Sequence, residues 1–274
     1  MKTRTAKPAG RVHANQPLLL CSLTALAMLS ASYAYADHHK LTVAIATDMP
    51  PYVSDSAKTG LEVDIVKKAL DGYVVEFVQM PYSQLQDAVQ KQKADVSIGV
   101  VADNTDNTDN SDVFYSDPLI SFANFAISKK SDNLDINNMD DLKKYQVLTW
   151  QNAYLELGDE FKKLFSPESE YRKNYHEFSD QAEQVAHFWK ESQQVAIIDR
   201  NIFAYFTKAL KPSDGEVVHH SLFPAVTNFS ASFKDESAMK SFNSKLKAMC
   251  QSGEYGKLLE EYEVQLETTV CGDK

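Results

Sequence analysis

Asp199 closes an apolar run, Val195-Ala196-Ile197-Ile198, that reads as a buried strand. An acid in that place needs a partner, because a buried carboxylate loses its hydration. The free N–H groups of the helix predicted from Ile202, which an aspartate caps well, would satisfy it. Arg200, its neighbour, either reaches the same space or pairs with surface acids. Tyr52 and Tyr82 each follow a predicted strand, and each can supply a flat apolar face plus one hydroxyl. Tyr52 stands after Pro50-Pro51 and can equally close its own loop. Trp150-Gln151-Asn152 heads a predicted helix, whose first N–H groups favour an anion; Trp150 can also be ordinary packing. Tyr52, Tyr82, Trp150, Gln151, Asn152, Asp199 and Arg200 are the candidate ligand contacts.

Other constellations point away from catalysis. There is no nucleophile elbow, zinc pattern or dinucleotide loop. His219-His220 are adjacent on a predicted strand, so their rings face opposite sides and do not chelate. The loop from Ala102 to Asp112 carries acids at 103, 106, 109 and 112. That spacing of three is wrong for a helix–loop–helix calcium site, and a solvated loop is the plainer reading. No catalytic residue, metal or cofactor is expected.

The first 13 residues are basic, with Lys2, Arg4, Lys7 and Arg11 and no acid. An apolar stretch runs from Leu18 to about Ser32, and Ala34-Tyr35-Ala36 precedes Asp37. That order predicts a cleaved export leader over residues 1–36. The apolar stretch is short for a membrane span, which needs roughly 20 residues. The formal net charge of −10 becomes −14 without the leader, since all the acids and all but four of the basic residues lie beyond it. Such a surface excludes nucleic acid and anionic membrane as natural partners. A monomer outside the cytoplasm is expected. Cys250 and Cys271 remain after cleavage, and an oxidising compartment favours a disulfide between them. Metal binding is the weaker alternative, because no ligand cluster surrounds either cysteine.

The elements that must position these residues follow from hydrophobic period. Strands are predicted at Leu41–Ala46, Tyr73–Met80 and Asp95–Val101, with helices at Leu61–Leu70 and Ser83–Lys91 between them. This alternation calls for a mainly parallel sheet with helices on its faces. Strand character resumes over Leu119–Ser128, and a polar linker runs from Lys129 to Asn138. A second αβ pattern has strands at Gln146–Thr149 and Gln194–Ile198 and helices at Asn152–Phe165, Ala182–Glu191 and Ile202–Lys208. Apolar strand and loop return over Ser221–Phe233, and helices Glu236–Met249 and Glu254–Tyr262 close the chain. The reading is a first lobe over 37–129 and 220–274, with a second lobe inserted at 130–219.

Several short pieces occur together in one order. They are Met49-Pro50-Pro51-Tyr52 before Gly60-Leu61-Glu62-Val63-Asp64-Ile65, Met80-Pro81-Tyr82-Ser83-Gln84-Leu85 before Lys93-Ala94-Asp95-Val96-Ser97-Ile98-Gly99, and Phe114-Tyr115-Ser116-Asp117-Pro118-Leu119. Asp141-Leu142-Lys143, Val195-Ala196-Ile197-Ile198-Asp199 and Ser252-Gly253-Glu254-Tyr255 complete the set. In this arrangement the chain resembles the bacterial extracellular solute-binding proteins of family 3, the polar amino-acid uptake class. The resemblance implies a periplasmic-binding-protein-like α/β fold, with two lobes of mixed, mainly parallel sheets joined by a two-strand hinge. It implies a small polar solute held between the lobes and handed to an inner-membrane ABC transporter permease. A membrane sensor is the alternative partner, and a dehydratase-like enzyme of the same fold is the alternative function. It assigns Tyr52 and Tyr82 to the ligand's face, the head of the helix at Trp150-Gln151-Asn152 to its carboxylate, and Asp199 to its ammonium group. The family's first-lobe arginine is missing: beyond the leader the arginines are Arg172 and Arg200, and the expected position falls near Asp109. The expected ligand is therefore an amine, an amino-acid derivative or a polyhydroxylated compound, independent of a free α-carboxylate.

Overall fold

The computed structural model describes residues 40–101, 112–212, 215–223, 227–268 and 270–272. The leader and the acidic loop, including Asp109, lie outside them. The first sheet holds β1 (Lys40–Ala46), β2 (Val74–Met80), β3 (Val96–Val100), β4 (Phe114–Tyr115), β5 (Ile120–Phe122) and β11 (Thr227–Phe233). Its order is β2-β1-β3-β11-β4, with β5 also on β11. β1 is parallel to both β2 and β3, and β11 runs antiparallel to β3, β4 and β5. The second sheet holds β6 (Asn124–Lys129), β7 (Gln146–Trp150), β8 (Tyr175–Phe178), β9 (Gln194–Asp199) and β10 (Val217–His220), in the order β10-β6-β9-β7-β8. β7 is parallel to β8 and β9, whereas β6 is antiparallel to β9 and β10.

The chain passes from the first sheet to the second at Ala123, between β5 and β6, and returns between His220 and Thr227. The expected first-lobe segment to residue 129 includes all of β6, whose partners β9 and β10 belong to the second sheet. The apolar run Leu119–Ser128 is thus two strands in two sheets, and the polar break at Lys129 follows the crossing rather than marking it.

In the first lobe, α1 (Leu61–Ala69) buries Leu61, Val63, Ile65, Val66 and Ala69, and packs with α5 (Glu236–Ser252) and α6 (Glu254–Glu261). Gly60 begins α1 at φ 127°, where a Cβ would stand 2.2 Å from the Tyr52 carbonyl oxygen. That close approach lets the Tyr52 carbonyl accept the Glu62 N–H at 3.0 Å, and the Pro51 carbonyl accepts that of Leu61.

Two predicted helices differ. Ser83–Lys91 forms a 3-10 turn at Tyr82–Gln84 followed by turns, although its apolar Leu85 and Val89 are buried, as is Ala88. The Leu85 carbonyl takes the Ser97 hydroxyl at 2.8 Å and the Ala88 N–H, so the i to i+4 ladder does not propagate. Asn152–Phe165 is broken: Asn152 is left-handed at φ 61°, a 3-10 turn spans Ala153–Leu155, Gly158 sits at φ 92°, and α2 occupies only Asp159–Phe165. The helices α3 (Gln181–Lys190) and α4 (Arg200–Leu210) lie close to the predicted spans.

The tail after α6 joins both lobes. Gln265 and Asn201 of α4 exchange two hydrogen bonds, at 2.9 and 3.1 Å, and Lys208 pairs with Glu263. A disulfide between Cys250 and Cys271, 21 residues apart, fixes the tail to α5. Closing a loop of that length removes about 3 kcal/mol of unfolded-state entropy. The C250S/C271S double variant is expected to lose about that much stability in urea, with free thiols undetectable in the unreduced wild type. Equal stability of the two proteins, or two titratable thiols in the wild type, would show that the bond is not formed.

Candidate functional site

In open α/β sheets ligands collect beyond the carboxyl ends of the strands, where the strand order reverses. In the first sheet β1 lies between β2 and β3, and Ala46 and Met80 end β1 and β2 in register. Tyr52 and Tyr82 follow those two ends. In the second sheet β7 lies between β8 and β9, and Trp150 and Asp199 are their last residues. The candidate residues thus converge on one type of edge in both lobes.

Tyr52 is fully buried, with its ring edge-on to Phe122 at 4.4 Å. Its hydroxyl donates to Asp199 Oδ1 at 3.0 Å and accepts from Asn201 Nδ2 at 2.9 Å. Asp199 is 4 % exposed and caps α4, accepting the N–H groups of Asn201 and Ile202 on Oδ1. Its Oδ2 accepts the N–H of Ala123, the crossing residue, at 3.1 Å. Of the partners expected for Asp199, the cap is the one present, and the carboxyl also takes a bond from Tyr52 of the other lobe. Burial still dominates, and pushes its carboxyl up to about 6 despite four donors.

Tyr82 is 41 % exposed, and its ring meets Phe229 edge-on at 6.0 Å. Phe229 in turn packs on Phe122. Tyr52, Phe122, Phe229 and Tyr82 therefore form one chain of rings across both hinge strands, with Tyr82 at its solvent end. Burial raises the Tyr82 hydroxyl well above its usual range, and the charges of Glu156 and Glu62 add to the effect. Glu156 belongs to the second lobe, so its charge reaches Tyr82 from the other lobe. Glu156 reaches solvent, yet desolvation by surrounding protein raises its carboxyl too; Trp150 Nε1 donates to it at 3.2 Å.

Gln151 is exposed. Asn152 does not cap its turn; its N–H donates to Glu177 Oε1 at 3.2 Å. Arg172 pairs with Glu177 at 3.3 Å and lies over the rings of Tyr154 and Tyr175. Arg200 turns to the tail, paired with Glu267 and bonded to Gln265 at 3.4 Å, above the Phe125 ring. Its pairing with acids is the reading that this geometry adopts. His219 packs edge-on against Phe125, while His220 holds Ser128 and the Ile136 carbonyl, so the two rings do diverge.

Sequence reasoning passed over Glu62, Glu156, Glu177 and Asn201. Only Glu62 carried a signal: it shares the spacing of Ile65, Val66 and Ala69 on the inward stripe of α1. It is 2 % exposed, and burial alone pushes its carboxyl up to about 7. Among the described residues no group of three metal-ligating side chains is present.

The sequence model of the bacterial extracellular solute-binding proteins, family 3, matches residues 41–265. No curated protein sequence matches the chain. Among solved structures, the GluR0 ligand-binding core in complex with L-glutamate superposes with a TM-score of 0.64 at 16 % identity, covering 82 % of this chain and 99 % of that one. An ABC uptake transporter substrate-binding protein from Streptococcus pneumoniae with bound histidine gives 0.63 at 15 %, over 83 % and 94 %. An ancestral cationic amino acid solute-binding protein gives 0.62 at 21 %, over 83 % and 96 %. At these identities the likenesses establish the two-lobed fold alone.

A raised carboxyl makes stability fall as pH increases. For Glu62 the favourable contribution is complete below its usual 4.5 and is lost as pH rises through about 7. The shift corresponds to about 3 kcal/mol. The unfolding free energy of E62Q relative to wild type is therefore expected to improve by about 3 kcal/mol between pH 4.5 and pH 8. Parallel profiles of the two proteins in urea would contradict the assignment.

Proposed function

Because the chain belongs to the bacterial extracellular solute-binding proteins, family 3, and so acts outside the cytoplasm by binding rather than turnover, we propose that it captures a small amine or cationic amino-acid derivative between its lobes. In this reading the loaded protein delivers the solute to an inner-membrane ABC permease. One observation carries the ligand class. The N–H of Asn152, which the family resemblance assigns to a ligand carboxylate, already holds the carboxylate of Glu177. The first lobe has no arginine to hold one instead.

Acids and aromatic rings remain among the described residues near the strand ends. Tyr82 and Trp150 offer ring faces, which attract a cation as well as an apolar body. The charges of Asp199 and Glu62 reach the Tyr52 hydroxyl, and those of Glu156 and Glu62 reach Tyr82. A solute enclosed there exchanges water for these groups in a low-dielectric space, where attraction to its positive charge strengthens. A second carboxylate would meet repulsion. The similar fold of an ancestral cationic amino acid solute-binding protein is in keeping with this reading.

A thermal-shift panel tests the proposal, with putrescine, agmatine, lysine, lysinamide and glucosamine against glutamate and succinate. A ligand at a hundredfold excess over its Kd stabilises the bound form by about 2.7 kcal/mol. At this chain length that raises Tm by about 5 °C or more. Shifts are expected from the amines, and lysinamide should match or exceed lysine. Shifts confined to glutamate or succinate, or abolished by amidation, would contradict it.

A further inference from the structure

Glu177 is an acid of the second lobe on which two donors from separate elements converge. Its Oε1 accepts the N–H of Asn152 at 3.2 Å and lies 3.3 Å from Nη2 of Arg172. One carboxylate oxygen thus takes a backbone N–H and a guanidinium together, the kind of contact that holds an anion strongly. Arg172 does not depend on Glu177 for its position. Its Nη1 donates to the Phe165 carbonyl at 2.7 Å, and its guanidinium lies 5.0 Å from the ring centre of Tyr154 and 4.4 Å from that of Tyr175. Tyr175 in turn is stacked on Phe165 and accepts the Tyr154 N–H on its hydroxyl at 3.2 Å. The guanidinium is therefore held by groups that remain when the acid is removed.

Register puts this constellation on the edge that meets the first lobe. Asp199, the last residue of β9, takes the Tyr52 hydroxyl at 3.0 Å, so the carboxyl ends of the second sheet face the first lobe. β7 is parallel to both β8 and β9, and their carboxyl ends lie on that same edge. Glu177 pairs with Thr149 of β7, one step before Trp150 and Phe178 end the ladder. Its carboxyl reaches past the end of β7 to the N–H of Asn152 in the following loop. Two strand spacings, about 10 Å, separate β8 from β9. Asn152 is exposed, and the side chains of Arg172 and Glu177 keep 29 % and 22 % of their surface in solvent. An ion pair open to solvent adds little to stability. What it does on this edge is occupy two donors that a solute would otherwise find.

We propose that Glu177 is a specificity-determining residue: its carboxylate fills the place that a solute's free carboxylate would take on Arg172 and the Asn152 N–H, and so excludes solutes that bear one there. This rests on the amine-binding reading above and assigns the exclusion of carboxylates to one side chain. A carboxylate approaching this edge meets the charge of Glu177 and donors already engaged. A neutral amide in the same position meets no such repulsion. Removing the acid leaves Arg172 an uncompensated cation, still held by Phe165 and two rings, beside a free backbone N–H.

The test is calorimetry of lysine and lysinamide, which differ in that one carboxylate, with wild type, E177A and E177Q. The ratio of the two affinities within each protein cancels any general loss of folding or of amine binding. Wild type is expected to bind lysinamide at least as tightly as lysine. E177A should shift the ratio toward lysine by about tenfold or more, the effect of one charged hydrogen-bonded contact. E177Q removes the charge but keeps the volume and an acceptor for the Asn152 N–H. It should shift the ratio the same way by less, and it carries the test if E177A does not fold. Adding R172Q to E177A should return the ratio to that of wild type. A pair that serves structure alone would lower Tm in E177A and leave the ratio unchanged. That result overturns the role of Glu177 and leaves the amine reading intact. Preference of the wild type for lysine overturns both. If no amine of the panel binds the wild type, the amine reading fails and glutamate decides the assignment: tighter binding to E177A than to wild type keeps it, and equal affinity overturns it.

Discussion

The hydrogen bond between the Tyr52 hydroxyl and the Asp199 carboxyl is the contact on which the two lobes depend. One end belongs to the loop after β1 and the other to the junction of β9 and α4. Asp199 also holds the N–H of Ala123, and the Arg200 N–H donates to the Ala123 carbonyl at 3.2 Å. The residue at which the chain changes sheets is thus gripped on both sides by the second lobe. The same carboxyl caps α4, whose next residue, Asn201, returns to Tyr52 and to the tail at Gln265. Partly satisfied buried networks are costly, and full ones define a single arrangement. This one fixes the floor of the gap before any solute arrives.

In the proposed function, the sign of the charge above that floor selects the solute. A binding site for a carboxylate needs donors that nothing else has claimed. Here Glu177 claims the Asn152 N–H, and Arg172 is held by Glu177 and two tyrosine rings. Arg200 is held by the tail. The Asn152 N–H and both arginines of the described residues thus each have an internal acid on them. The acids Asp199, Glu62 and Glu156, in contrast, are raised by desolvation, so a cation placed among them repays a cost already present in the folded protein.

Much of this was legible in the sequence because hydrophobic period and turn residues report on backbone. The strand ends at Ala46 and Met80 follow from period alone, those at Trp150 and Asp199 lie one residue past the predicted spans, and together they place the candidate residues on one edge. Asp199 announced itself as a polar residue ending a run of apolar ones. The break at Asn152 and Gly158 was harder to read, since apolar spacing continues across both, and left-handed backbone leaves no period. The true crossing at Ala123 was hidden for a similar reason: β5 and β6 are both apolar and nearly contiguous, so the change of sheet has no polar mark. Side-chain partnerships such as Glu177 with Asn152 join residues 25 apart, and no local pattern encodes them.

The central claim is that the space between the lobes selects positive charge. Native mass spectrometry of the protein purified from its own cells without denaturation tests it most directly, because the retained solute identifies itself by its mass and fragments. The account predicts a small molecule bearing at least one amine and no net negative charge. A retained dicarboxylate, keto acid or sugar acid would contradict it.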